Sequence, residues 1–409
     1  MADSGAASRI GFLRERLAGR RRRYEEIAIR RDELRSPDAA LLGVGWTPAA
    51  GTFSHLNDDE AVIEYQVTAD SLLIFVGRRD GLTLATVPLP PGGLQGRVRL
   101  ARELMARRDS VVARALPVLG ALGDLLIAPV RRAGALQGIR VLLLIPDGIL
   151  TYLPFAALVD SETGRYLVQD YILLTLPSAG SLVALREAPG LGDARVPGSA
   201  LAPLPEALPG TAPEARTVAR ALQARFVLGG RASEVAVRAS LAAGGVVHLA
   251  THGELNSRNP MFSHLATAPG RGDQPADDGR LEVHEILGLS VPSPLVFLSG
   301  CETGLGAAWN TAFTPGEDFA TLARAFHYAG ARNVIATLWR VDDQGAVELA
   351  ARFYQHFPGV PAAEALASAQ REVLGAARWG APYYWAGYVL SGEGGTGGRA
   401  KKDGTLSVK

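Results

Sequence analysis

The chain has 409 residues, a formal net charge of +1 and 47% hydrophobic residues, which describe a globular protein long enough for two domains. The near-zero net charge gives no overall field that would attract a nucleic acid or an anionic membrane. The single cysteine, Cys301, excludes an intrachain disulfide and a metal site built on several thiolates. We find neither a signal peptide at the start nor an apolar run of the roughly 18 residues that span a bilayer, so we expect a cytoplasmic protein.

Residues 1–50 are predicted to be an N-terminal helical segment. Apolar residues form a loose stripe along 9–35, and Arg20–Arg23 are a run of four arginines. Such a run is typical of the solvated face of an amphipathic helix. Docking of a protein activator, or contact with a nucleic acid, is the alternative function for this helix.

Residues 51–190 are predicted to form a first half with its own strands and helices. Three alternating runs separated by turn residues predict an antiparallel meander, and two further apolar runs predict buried strands. The five predicted strands are 61–67, 71–76, 82–87, 139–145 and 171–176. This half has no cysteine and only turn-type polar residues, so no catalytic constellation is predicted in it.

Residues 191–392 are predicted to form a second half, in which helices alternate with short apolar strands. The stretch 188–213 is rich in Gly, Pro and Ala, which predicts an interdomain linker or a surface loop. The last strand is predicted at 384–390, and the tail 393–409 is predicted to be disordered.

Two apolar runs in the second half each end in one reactive side chain. The run from Val246 leads to His252 and Gly253, and the run from Leu295 leads to Gly300 and Cys301. Each is typical of a buried parallel strand followed by a turn, and such strands present chemistry beyond their carboxyl ends. If the two strands are neighbours, an imidazole and a thiol leave the same edge of one sheet. That pair is the minimum machinery of a cysteine nucleophile with its base.

His248 lies on the same strand as His252 and four residues before it. The even offset predicts the same face of the strand, at a separation of about 13 Å. That distance is too long for one site, so His248 is predicted to belong to the core.

Four segments resemble a CHAT-domain protein, from the caspase-like cysteine peptidases that also include separase. They are IPDGILTYLPFAAL (145–158), HLATHGEL (248–255), FLSGCETGLG (297–306) and ARAFHYAGARNVIATLWRVDD (323–343). The separation of 301 − 252 = 49 residues is close to the roughly 50 of caspases. The chain departs from the family at Gly300, where alanine is usual, and in the loop 306–316.

The resemblance covers about residues 55–392 and implies a caspase-like three-layer α/β sandwich with a mostly parallel sheet. In the implied fold the active half is preceded by a degenerate, pseudo-protease half and by the N-terminal helix. The implied function is a cysteine endopeptidase that cleaves a specific protein partner under the control of an activator, as in bacterial defence.

The residue roles follow from the same resemblance. Cys301 is the expected nucleophile, His252 its base and acid, and the N–H groups of Gly253 and Cys301 the oxyanion hole. Asp342 and Asp343 follow the strand beside the cysteine strand. In separase-like relatives an acidic residue there accepts a basic P1 side chain, but aspartate at this position also caps a helix. Both functions, and a hydrophobic P1, stay open.

Three other functions compete with the peptidase. A catalytically silent scaffold could use the same fold to bind a protein partner. A nucleotide-binding domain would need glycine-rich phosphate motifs that the chain lacks. A zinc hydrolase built on His248, His252 and His264 would need a ligand spacing that is not present. We therefore predict no metal or cofactor, and the oligomeric state does not follow from the sequence.

Overall fold

A computed structural model describes residues 49–89, 93–108, 112–188, 198–256, 259–270, 277–300 and 322–395. The predicted helix at 9–35, residues 396–409 of the predicted tail, and Cys301 all lie outside the described residues. In the described part of the chain no helix is long and apolar enough to cross a membrane.

The strands form one large sheet and one small sheet. In chain order they are β1 (Glu60–Val67), β2 (Ser71–Arg78), β3 (Gly81–Pro88), β4 (Val141–Ile145), β5 (Ile172–Thr175), β6 (Ser199–Ala202), β7 (Arg225–Leu228), β8 (Val247–Ala250), β9 (Gly253–Glu254), β10 (His264–Ala266), β11 (Arg280–Glu282), β12 (Val296–Ser299), β13 (Asn333–Thr337) and β14 (Tyr388–Gly392). The large sheet has eleven strands in the order β3-β2-β1-β4-β5-β14-β13-β12-β8-β6-β7. The small sheet has the order β11-β10-β9.

The large sheet consists of two parallel blocks that run in opposite directions. Strands β1, β4, β5 and β14 are mutually parallel, as are β13, β12, β8, β6 and β7. The blocks meet where β13 pairs antiparallel with β14, and β1–β3 form the predicted antiparallel meander. The mostly parallel sheet is therefore confirmed, and the carboxyl ends of the two blocks open at opposite edges of it.

Helices cover both faces of this sheet. They are α1 (Ala49–Phe53), α2 (Gln95–Met105), α3 (Val112–Leu126), α4 (Ala128–Arg132), α5 (Leu167–Asp170), α6 (Ala179–Glu187), α7 (Thr211–Leu222), α8 (Glu234–Ala242), α9 (Val283–Ile286), α10 (Leu322–Tyr328), α11 (Asp343–His356), α12 (Ala362–Gly375) and α13 (Pro382–Trp385). Successive side chains of β12 enter two different cores, since Phe297 joins one core while Val296 and Leu298 join the other. Burial on both faces explains why this strand is apolar throughout instead of alternating. The prediction of a three-layer α/β sandwich is confirmed.

The prediction of a linker or surface loop over 188–213 is wrong for its middle part. Ser199–Ala202 form β6, a fully buried strand that pairs with both β7 and β8. Its small residues carry little strand propensity of their own. The strand exists because its neighbours supply the pairing, for example the carbonyl of Val246, which accepts a hydrogen bond from the N–H of Ser199 at 2.8 Å.

The last strand begins later than predicted. Residues 382–385 form α13, with Pro382 in its first turn, and β14 begins at Tyr388. Proline suits the first turn of a helix because its missing N–H would have no partner there. The apolar run was identified correctly, but its first two residues, Tyr384 and Trp385, are helical. The division of the chain at residue 190 into two halves stays a prediction.

Candidate active site

Strands β8 and β12 lie side by side in parallel register. Ala250 is opposite Ser299, and the N–H of Thr251 donates to the carbonyl of Ser299 at 3.0 Å. In the sequence, His252 and Cys301 each stand two residues beyond the last residue of their strand. The neighbouring parallel strands that the sequence analysis required are therefore present.

The turn after β12 is anchored to the next strand of the sheet. The hydroxyl of Thr337, at the end of β13, donates a hydrogen bond to the carbonyl of Gly300. Thr337 is completely buried, so this contact is shielded from water. Gly300 is the last described residue before Cys301, and the chain therefore reaches the cysteine from a defined point at the carboxyl edge of the sheet.

His252 is half-buried at the same edge. Its carbonyl accepts a hydrogen bond from the N–H of Ala266 on β10 at 2.9 Å, which ties the residue to the small sheet. Burial lowers the pKa of the imidazole below its ordinary value, and the positive charge of Arg340 lowers it further, against the opposing charges of Glu254 and Asp343. A lowered pKa keeps the ring neutral at pH 7, the state in which histidine accepts a proton.

Gly253 begins the small edge strand β9, where it is opposite Leu265 of β10. Backbone groups alternate in direction along a strand, and the carbonyl of His252 faces β10. The N–H and C=O of Gly253 therefore face the outer edge of β9, away from β10.

Asp342 caps a helix, which is one of the two functions, helix cap or contact with a basic P1 side chain, that the sequence left open. Its Oδ1 accepts hydrogen bonds from the N–H groups of Gln344 at 3.1 Å and Gly345 at 3.0 Å, as the N-cap of α11. Its Oδ2 lies 3.0 Å from a guanidinium nitrogen of Arg108. Both carboxylate oxygens of Asp342 are thus engaged in the fold.

Asp343 is exposed, and its Oδ2 accepts a hydrogen bond from the N–H of Gly210 at 3.2 Å. Its negative charge acts on the pKa of His252, so the structure brings these two predicted residues near one another. Arg340 belongs to the same group of charges, and sequence reasoning missed it. It lies in the segment TLWRVDD, where only the two aspartates were considered.

His248 is fully buried, as predicted for a core residue. Its Nε2 lies 3.1 Å from a carboxylate oxygen of Glu214, and its Nδ1 lies 3.3 Å from the hydroxyl of Tyr354. Its ring packs 4.8 Å from that of Phe297, its partner across the β8–β12 pair. His248 therefore ties the histidine strand to the cysteine strand and to α7 and α11. Within the described ranges no group of three or more His, Cys, Asp or Glu side chains could hold a metal ion.

The fold is that of the caspase-like cysteine peptidases. Two crystal structures of the Saccharomyces cerevisiae separase–securin complex match 84% of this chain with TM-scores of 0.57 and 0.52, at 11% sequence identity. The matches cover 30% and 31% of the chains in those structures. At this identity the likeness establishes the fold alone.

The chain belongs to the CHAT domain family, whose model matches residues 116–393. Among curated proteins it is similar to tetratricopeptide repeat protein 28 of Homo sapiens, with 28% identity over 344 residues, and to that of Mus musculus, with 26%. These matches cover 70% of this chain but only 13% and 14% of the relatives, so the chain spans a small part of their length.

Proposed function

We propose that the protein is a cysteine endopeptidase in which Cys301 is the nucleophile and His252 its general base and acid. The observation that carries the proposal is the parallel pairing of β8 with β12, because it directs the chain toward both residues from one edge of the sheet. The lowered pKa of His252 supports the same role, since a neutral imidazole can take the thiol proton.

The proposed reaction has two stages. His252 removes the proton of Cys301, the thiolate attacks the scissile carbonyl carbon, and His252 returns the proton to the leaving amine as the peptide bond breaks. Water then attacks the resulting thioester while His252 takes its proton, the carbon–sulfur bond breaks to release the acid, and His252 returns the proton to Cys301. The outward N–H of Gly253, together with the N–H of Cys301, would stabilise the oxyanion in both stages.

A peptide ketone that reacts with thiols tests this proposal directly. We expect it to label the wild-type chain at Cys301, to label His252→Ala far more slowly, and not to label Cys301→Ala. Mass spectrometry locates the adduct, and the unfolding midpoints of the three proteins show whether the variants are folded. A folded wild type that is neither labelled at Cys301 nor active on peptides would support the silent scaffold instead.

We further propose that Asp343 takes part in recognition of a basic P1 side chain, while Asp342 serves the helix. Asp343 is exposed near His252, whereas both oxygens of Asp342 are already engaged. We expect Asp343→Ala to lower kcat/KM for an arginine substrate about tenfold or more, by loss of a charge-assisted hydrogen bond. A leucine substrate is the control, and cleavage of leucine substrates alone by the wild type would contradict the basic pocket.

The finer parts of the proposal rest on the family resemblance. They are a specific protein substrate, an activator that docks on the helix predicted at 9–35, and regulated cleavage in the cytoplasm, as in bacterial defence. Deletion of residues 1–36 should change activation and leave peptide labelling at Cys301 intact. An unchanged response to the activator would show that the activator does not dock on the N-terminal helix.

A further inference from the structure

An open groove of about 450 Å³ begins two residues beyond His252. The small sheet β9–β11 supplies most of its lining, and Phe262 borders it with 44% of its surface exposed. Polar groups dominate this lining: Glu254 and Glu282 contribute carboxylates, His264 an imidazole and Arg280 a guanidinium. The proposed reaction gives this groove no role so far.

Three of these side chains form a row across the small sheet. His264 on β10 is directly opposite Glu254 on β9 and directly opposite Glu282 on β11. Residues in such positions share one face of a sheet. The Nε2 of His264 lies 3.6 Å from a carboxylate oxygen of Glu254, whose side chain is still 66% exposed. Glu282 is less accessible, with its side chain 17% exposed and its Oε2 3.1 Å from Nδ1 of His284, so Glu254 is the carboxylate that the row presents most openly to the groove.

The guanidinium in the lining belongs to a different row. Arg280 is opposite Ala266, and Ala266 in turn bonds to His252. Arg280 thus stands level with His252 but two strands away from it. The carboxylate row lies two residues further along the strands, about 7 Å beyond His252 at 3.3 Å per residue.

The order of the strands decides which part of a substrate would meet this groove. Across the sheet β12 and β8 are neighbours, and the chain passes from β8 directly to β9, so the groove follows the histidine strand and not the cysteine strand. In the proposed reaction His252 protonates the leaving amine. The part of the substrate on the carboxyl side of the scissile bond therefore departs on the His252 side, toward β9.

The backbone of β9 suits an extended chain. Among the described residues β10 is the strand that pairs with β9, and β9 forms the edge of the small sheet. The outward C=O of Gly253 is a group with which an added strand would pair, as in recognition of peptides by sheet edges, while its N–H is left to the oxyanion. The exposed ring of Phe262 adds an apolar wall.

We propose that this groove binds the leaving side of the polypeptide substrate in an extended conformation and selects arginine or lysine within the first three residues after the scissile bond. The basic side chain would lie over this row, against the carboxylate of Glu254 on one side of His264 or that of Glu282 on the other. This inference rests on the proposed peptidase function, since it uses the side on which His252 protonates the leaving group.

A binding experiment in the Cys301→Ala background separates the groove from the chemistry. Two fluorescent decapeptides have the same sequence, with arginine at P1, except at the second and third positions after the scissile bond. One peptide has arginine at both of these positions and the other has glutamate. We expect the arginine peptide to bind about tenfold more tightly at about 0.15 M salt, as two partly screened charge contacts would give. Adding Glu254→Gln and Glu282→Gln should reduce the preference to about twofold or less.

Glu162→Gln is the matched control, because it removes an exposed carboxylate in the first half of the chain and should leave the preference unchanged. Equal binding of the two peptides, or a preference that survives the double substitution, would overturn the proposal for the groove. Cleavage of the same peptides by the wild type is measured in parallel. A wild type that binds selectively without cleaving would retain the groove and remove the peptidase function.

Discussion

The loop after β4 and the loop after β8 follow buried strands of the same sheet, yet they use their polar residues differently. After β4, the Oδ2 of Asp147 accepts hydrogen bonds from the N–H of Val67 at 2.8 Å and from the side-chain amide of Gln66 at 3.3 Å. The next residues, Ile149 and Leu150, are buried in the core. After β8, His252 stays half-exposed among the charges of Arg340, Glu254 and Asp343.

The difference shows that a strand followed by a turn does not by itself make a site. In the first block the residues of the turn pack into the core, and the carboxylate of Asp147 completes the hydrogen bonding of β1. In the second block the turn leads into a short edge strand that leaves a titratable side chain and an outward backbone N–H accessible. The comparison yields four predictions, in order of decreasing effect.

The largest effects are expected from two single substitutions, one in each loop, that should change activity and stability in opposite ways. His252→Ala should lower kcat/KM by at least about 10³-fold, with little change in the unfolding midpoint, because the base is lost. Asp147→Ala should do the reverse: it should lower the free energy of unfolding by about 1–2 kcal/mol, since it deprives the N–H of Val67 of its acceptor. A comparable loss of activity in a folded Asp147→Ala protein would mean that both loops contribute to the chemistry.

The second effect concerns the outward N–H of Gly253. Gly253→Pro removes this donor and should lower kcat by about 10²- to 10³-fold if the N–H stabilises the oxyanion. Gly253→Ala keeps the N–H and is the matched control, so it should retain most of the activity. Equal activity of the alanine and proline variants would show that the N–H of Gly253 does not stabilise the oxyanion.

The third prediction contrasts His252 with His327, a completely buried histidine on α10. Its Nδ1 lies 2.9 Å from the carbonyl of Ala331 and its Nε2 2.9 Å from the hydroxyl of Ser391 on β14. Neutral imidazole satisfies both contacts if Nδ1–H donates and Nε2 accepts. Burial lowers the pKa of His327 to about 4.

Because the folded pKa of His327 lies below that of the unfolded chain, the unfolded chain binds the proton first as the pH falls. Its contribution to stability is therefore complete above about pH 6.5 and decreases toward pH 4, by about 3 kcal/mol in total. Urea unfolding of the wild type and of His327→Gln across this range measures the effect. Parallel pH dependences in the two proteins would contradict it.

The smallest effect is a shift of the pH profile. Arg340 lowers the pKa of His252, so Arg340→Gln should raise that pKa. At low pH kcat/KM falls because His252 becomes protonated. With a higher pKa this fall should begin at a higher pH. Arg165→Gln, a change at an exposed residue of the first half, is the control. A fall that begins at the same pH would show that another group governs it.

Local sequence patterns predicted the strands that lead to the candidate site. The apolar runs from Val246 and Leu295 begin within one residue of β8 and β12. The four-residue offset placed His248 in the core, where it contacts Glu214, because side-chain direction along a strand is a local property. For Asp342 and Asp343 the sequence left a helix cap and a substrate contact open, and the structure gives the cap to Asp342.

The sequence by itself determined the elements and the chemistry at their ends, since propensity, periodicity and turn residues act over a few positions. Only the tertiary structure decided that β6 is a strand, that two blocks of opposite direction meet at β13 and β14, and that Arg340 and Asp343 act on His252. These features depend on which segments become neighbours. Pairing between distant strands and the burial of charges are set by contacts across the whole chain, which no local pattern records.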